Sequence, residues 1–175
     1  MPLNRLSLQR QAEITDLVNA LTLHAGMAYP EAPLKKLIQD TIPDVLIRED
    51  DFDGNSHVKG AVFRKSKTFP RSIIAIQSNQ TKRSKTFSLA HEFGHYVLKH
   101  NPSRNYYIDD MPFDGTKHMQ DEAEANFFAQ TLLMPRDVFM KVDKPFVSDQ
   151  SIADFFGVSE SVVRVRREWL KRNGY

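Results

Sequence analysis

Five consecutive residues, His91-Glu92-Phe93-Gly94-His95, carry the most chemically pointed pattern in this chain. On a helix, residues four apart differ by about 40° in azimuth, so both imidazoles project to one side, one turn apart. That spacing suits two ligands of a tetrahedral metal such as zinc. Glu92 sits one step round from His91. It can reach a metal-activated water without occupying the metal, which is the place of a general base in metal-assisted hydrolysis. In a chain of this composition the motif arises by chance with odds on the order of one in a hundred. The bland alternative is a surface helix on which two histidines align.

The chain contains no cysteine. This excludes a disulfide scaffold, thiolate zinc fingers, iron–sulfur clusters and a cysteine nucleophile. Any metal must be held by His and carboxylates, and two histidines leave a third protein ligand to find. His100 follows His95 with no glycine between them, and on a continuing helix it lies about 180° from His91, on the wrong face. It reads instead as a helix-end residue interacting with the dipole. The next helical stretch offers Glu122, with Asn126 four residues on and on the same face. Glu122 would complete a His-His-Glu set with an open fourth position, and Asn126 could hold the far nitrogen of a ligand histidine. Glu124 points about 200° away from Glu122, so only one of them can be a ligand, and Glu122 is the choice. Both could equally belong to a solvated acidic helix start.

The stretches Phe87-Ser88-Leu89-Ala90-His91-Glu92-Phe93-Gly94-His95-Tyr96, Glu122-Ala123-Glu124-Ala125-Asn126-Phe127-Phe128-Ala129 and Leu132-Leu133-Met134-Pro135 together resemble the ImmA/IrrE metallopeptidases. These are prokaryotic and phage-encoded proteins of the gluzincin kind. The similarity is close over Ile73 to Pro135 and looser elsewhere. It implies zinc held by His91, His95 and Glu122, with Glu92 as general base. It also implies a protein substrate, typically a transcriptional repressor encoded nearby. Many members have a histidine shortly after the motif, where this chain has Lys99 then His100; the departure bears on the helix end and not on the metal. An oxyanion donor is required too. Tyr106, Tyr107 and His118 are candidates, but each reads first as an ordinary loop residue and none is chosen.

These side chains need a scaffold. Ile14, Leu17, Val18 and Leu21 mark an amphipathic N-terminal helix ending near Gly26 and Pro30. A second helix is expected over Pro33–Asp40, with Pro33 in its first turn, before Pro43. Strands are expected at Val45–Arg48, Val58–Phe63 and Ser72–Gln77, the last two as an antiparallel hairpin around a basic loop, and the acidic run Glu49–Asp53 with Gly54 as a turn. Ser72–Gln77 is expected to be an edge strand to which a peptide substrate could add. Helices over Phe87–His100 and Asp121–Leu133 would carry the metal ligands, with a loop containing Pro102, Pro112 and Gly115 between them. Ala125 and Ala129 are small enough for those helices to approach closely. The fold class is therefore α+β: a small mixed or antiparallel sheet packed with the histidine helix and a second metal-ligand helix.

The C-terminal segment Asp149–Arg172 has the pattern of a helix-turn-helix. Ala153 sits at the close approach, Gly157 at the turn, and Val158 and Val163 in the packing, with Ser159 as cap. Arg164, Arg166, Arg167, Lys171 and Arg172 make its second helix basic, so residues 149–172 could contact DNA phosphates. Arg166, however, falls where such motifs usually place an apolar residue. The alternative is a packing or protein-docking element.

With 175 residues and ordinary globular composition (41% hydrophobic, 26% charged), the chain has room for one main domain and a small appendage. The division expected is a metallopeptidase domain over 1–135 and a helical segment over 136–175 packed on it. The net charge of +2 excludes a global polycationic coat but not a local nucleic-acid contact. No targeting or membrane segment is evident, so a cytoplasmic location is the expectation. Two other functions compete with a zinc peptidase: a DNA- or repressor-binding regulator with an idle metal site, and a toxin–antitoxin-like component acting through complex formation.

Overall fold

The computed structural model describes residues 6–24, 33–52, 58–67, 69–100 and 115–174, with only the backbone of 115–118. Gly26, Pro30, Asp53, Gly54, Tyr106, Tyr107 and the prolines at 102 and 112 lie outside the described residues, as does the side chain of His118. Two helices, α1 (Leu8–His24) and α2 (Leu34–Thr41), precede three strands, β1 (Leu46–Asp50), β2 (Gly60–Phe63) and β3 (Ile73–Gln77). Five helices follow: α3 (Lys82–Val97), α4 (Gly115–Leu133), α5 (Arg136–Val142), α6 (Asp149–Phe156) and α7 (Glu160–Arg172). The class is α+β, as expected. Pro33 stands at the N-cap of α2 and not within its first turn. Among the described residues no helix is long and apolar enough to cross a membrane.

The sheet order is β1-β3-β2, with β3 parallel to β1 and antiparallel to β2. The antiparallel hairpin is thus present, but its second strand is central. Ser72–Gln77 has both flanks paired and offers no free backbone to a peptide; among the described residues the open edges are β1 and β2. The reason is legible in composition. Ile73-Ile74-Ala75-Ile76 is a continuous apolar run, the mark of a strand covered on both faces, whereas a half-solvated edge would alternate. Ile74 and Ile76 face the helices, and Ala75 joins Phe52, Val58 and Ala61 in a small cluster behind the sheet. β1 also runs through Glu49 and Asp50, which were expected in a turn.

α3 starts five residues before Phe87 because Thr81 caps it, its hydroxyl accepting from the Ser84 N–H at 3.2 Å. Its far end stops short of His100. Lys99 adopts a left-handed conformation (φ 59°), its N–H donates to the Tyr96 carbonyl at 3.2 Å, and the His100 N–H donates to the His95 carbonyl at 3.1 Å. This paired pattern closes a helix end, usually with glycine at the left-handed position. Arg64 adds a second stop, donating to the carbonyls of His95 (3.2 Å) and Tyr96 (2.5 Å).

One apolar cluster runs from Ile14 and Val18 of α1 through Phe93 and Phe128 to Val163 and Leu170 of α7. α3 and α4 are its central pair. Gly94 lets them close, since a Cβ there would lie 2.9 Å from Phe128 Cδ1. Ala125 and Ala129 are fully buried at the same seam. In the α6–α7 pair, Gly157 makes the turn (φ 67°), and Ser148 caps α6 by accepting from the Ser151 N–H at 3.1 Å. Ser159 holds the cap position of α7 without a capping bond; its hydroxyl meets Ser161 Oγ at 2.8 Å.

Candidate metal centre

α3 and α4 bring His91, His95 and Glu122 together, each offering a ligand atom within 4.8 Å of the others. His91 Nε2 and His95 Nε2 lie 3.0 Å apart. Glu122 Oε2 is 3.3 Å from His91 Nε2, and Oε1 is 3.2 Å from His95 Nε2. Three ligands bound at 2.0–2.1 Å in a tetrahedron would stand about 3.3 Å from each other, so this donor set has the size and chemistry of a zinc site.

The imidazoles are also presented the right way round. His91 Nδ1–H donates to Asn126 Oδ1 at 3.1 Å, which leaves the Nε2 lone pair facing Glu122. On the other side, His95 Nδ1 is 2.9 Å from His100 Nδ1. Two lone pairs converging at 3.0 Å beside a carboxylate repel one another unless a proton or cation lies among them. Burial works against the Glu122 charge, yet the two imidazoles beside it outweigh it and hold the carboxyl well below its usual range. Burial also works against charge on both rings. It prevails at His95, which is lowered, while the Glu122 and Glu92 carboxylates reverse it at His91, which is raised.

Glu92 stands apart from this cluster in a different environment. It is 4% exposed, and its Oε2 is buried with no hydrogen-bond partner among the described residues. Burial pushes its carboxyl up to about 7, with His91 pulling the other way. The strand β2 walls it in: a Cβ on Gly60 would lie 2.6 Å from Glu92 Cγ and 2.8 Å from Oε1. A carboxyl that gains and loses a proton near neutrality suits general acid–base work.

His100 and Glu124 depart from what their spacing suggested. His100 is 7% exposed and folded back against His95, Nδ1 to Nδ1 at 2.9 Å, instead of continuing the helix. Glu124 is 4% exposed and no part of a solvated helix start. It accepts from Arg10 Nη2 at 2.6 Å, from Gln120 at 3.1 Å and from His100 Nε2 at 3.2 Å. Burial opposes its charge, but Arg10, Gln120 and His100 hold its carboxyl below the ordinary range.

Most arginines of α7 are engaged within the chain. Arg164 pairs with Asp149 (2.8 Å) and Glu160 (3.0 Å), Arg167 with Asp143 (3.0 Å) and Asp149 (2.6 Å), and Arg172 with Glu168. Arg166, the apparent mismatch, is 2% exposed. Its Nε–H donates to the Met134 carbonyl at 3.2 Å, just past the end of α4, and the guanidinium lies 5.0 Å from the centre of the Trp169 ring. It thus satisfies a carbonyl at a buried helix terminus, where a cation is also favoured by the dipole. Burial lowers its pKa to about 10.

The fold is shared with a Mycobacterium tuberculosis transcriptional regulator at TM-score 0.61 and 16% identity, over 89% of this chain. The chain spans 46% of that regulator's length. No curated sequence relative matches it. Residues 43–168 match the IrrE N-terminal-like domain, a peptidase family. That stretch covers β1 through most of α7 and includes every residue of the centre, and the chain belongs to this family.

Proposed function

We propose that the chain is a zinc-dependent endopeptidase acting on a regulatory protein, most simply a transcriptional repressor encoded nearby. Glu92 carries this reading. A metal site built only for structure has no use for a buried carboxylate with a free oxygen beside its ligands, whereas hydrolysis requires one. In this proposal His91, His95 and Glu122 hold the ion. When bound, zinc supplies Lewis-acid chemistry, polarising the scissile carbonyl and acidifying water. Glu92 takes the proton of the attacking water and returns it to the leaving amine. The substrate lies extended along the free edge of β2, whose Gly60 abuts Glu92, and pairs with it through main-chain hydrogen bonds. Residues 1–135 form the catalytic part, and 136–175 a helical unit docked on it. Family membership and the regulator sharing the fold both support a regulatory setting.

The test is direct. Purified protein is expected to bind one zinc ion per chain, and Glu92→Gln to keep the metal while losing cleavage of the repressor encoded beside the gene. Equal cleavage by the variant and the wild type would refute the mechanism.

A further inference from the structure

We infer that Arg10, Glu124 and His100 form a positioning relay that sets which nitrogen of His95 faces the metal; the inference rests on the proposed metal site. The chain of contacts is continuous. Arg10 Nη2 donates to Glu124 Oε2 at 2.6 Å, His100 Nε2 lies 3.2 Å from the same oxygen, and His100 Nδ1 lies 2.9 Å from His95 Nδ1. Asp121 Oδ1 stands further off, 3.8 Å from His100 Nε2. His100 and Glu124 are both buried.

The direction of the relay follows from the carboxylate. An ionised Glu124 only accepts, so His100 must carry its proton on Nε2. A His100 carrying that one proton presents a lone pair at Nδ1, and His95 donates to it from its own Nδ1–H. His95 is left with a bare Nε2, the atom that faces His91 and Glu122. The reverse arrangement would place a His100 lone pair against the Glu124 carboxylate and a proton where the metal belongs. Arg10 keeps the order one-way by pairing with Glu124. His91 reaches the same state through a single neutral acceptor, Asn126 Oδ1.

Two backbone features serve the relay. Lys99 takes a left-handed conformation (φ 59°), one that non-glycine residues seldom adopt, and turns the chain so that His100 returns beneath His95. Arg10 comes from α1, which lies outside the matched residues 43–168, so the N-terminal helix contributes the anchor of the relay.

The experiment reads the tautomer and the metal separately. In metal-free protein labelled with ¹⁵N-histidine, His95 is expected to be protonated at Nδ1. His100→Phe, which keeps a ring but no acceptor, should move that proton toward Nε2 and weaken zinc binding by about 10–100-fold, as loss of a ligand's outer partner does. His100→Gln restores a carbonyl acceptor and should recover both. Arg10→Met should shift the tautomer in the same direction by less. An unchanged His95 tautomer in His100→Phe, or an Nε2 proton in the wild type, overturns the relay. If the wild type bound no zinc while the tautomer still responded, the metal reading would fall and the relay would stand as a device that orients His95.

Discussion

Replacing Glu92 by Gln should make the metal-free protein more stable, and only above mildly acidic pH. The carboxyl is moved from an ordinary 4.5 to about 7, and each pH unit of displacement is 1.36 kcal/mol, so ionising Glu92 in the folded chain costs about 3 kcal/mol. Between these two values the folded state binds a proton that the unfolded state has released. Stability therefore declines as pH rises through this window and levels off above it. Glutamine has the same shape and no charge to desolvate, so the variant escapes this decline. At pH 4 the two proteins should be nearly equal; at pH 8 the variant should lead by about 3 kcal/mol, or roughly 6–12 °C in Tm for a chain of this size.

Urea titrations with a chelator present, followed by circular dichroism at several pH values, measure this difference. Other titrating groups are common to both proteins and cancel in the comparison. Adding zinc should narrow the gap, because a nearby dication favours the charged carboxylate. A gap that is independent of pH, or a variant less stable than the wild type at pH 8, would refute the reasoning. Either result would mean that Glu92 is hydrated or partnered in the folded state and is not a desolvated base.

The two close-packed glycines should separate base from ligands. Gly60→Ala drives a methyl into Glu92 and should lower cleavage by about 10–100-fold with zinc affinity kept. Gly94→Ala pushes α4 away through Phe128, and is expected to cost about 1–3 kcal/mol and to weaken zinc binding by displacing Glu122; paired activity and metal-competition assays check both. Duplex DNA should show little gel shift even at low salt, because Arg164, Arg167 and Arg172 are paired within the chain and Arg166 is buried. A saturable shift whose affinity falls steeply with salt would restore the DNA-binding reading.

What could be read from the sequence was what depends on local spacing. The i, i+4 histidines, the glutamate one step round and the second helix with Glu122 and Asn126 on one face are consequences of a 3.6-residue period, and the structure brings them together. Periodicity reports a face, however, and not what lies opposite it. Glu124 was expected to point away from Glu122, but the space it enters holds Arg10 from the far end of the chain, which no local pattern reveals. His100 was set aside on the premise of a continuing helix, and Lys99, with no glycine to announce it, bends the chain instead. Gly60 looked like an ordinary strand residue because its role is a close approach across the sheet–helix interface. Arg166 was the exception. Its misfit with the helix-turn-helix pattern was visible, but the carbonyl it satisfies belongs to the end of α4. In each case the missing information is a long-range neighbour of a buried polar group. Such partners are the part of this site that substitution at Arg10, His100 or Gly60 can test without touching His91, His95 or Glu122.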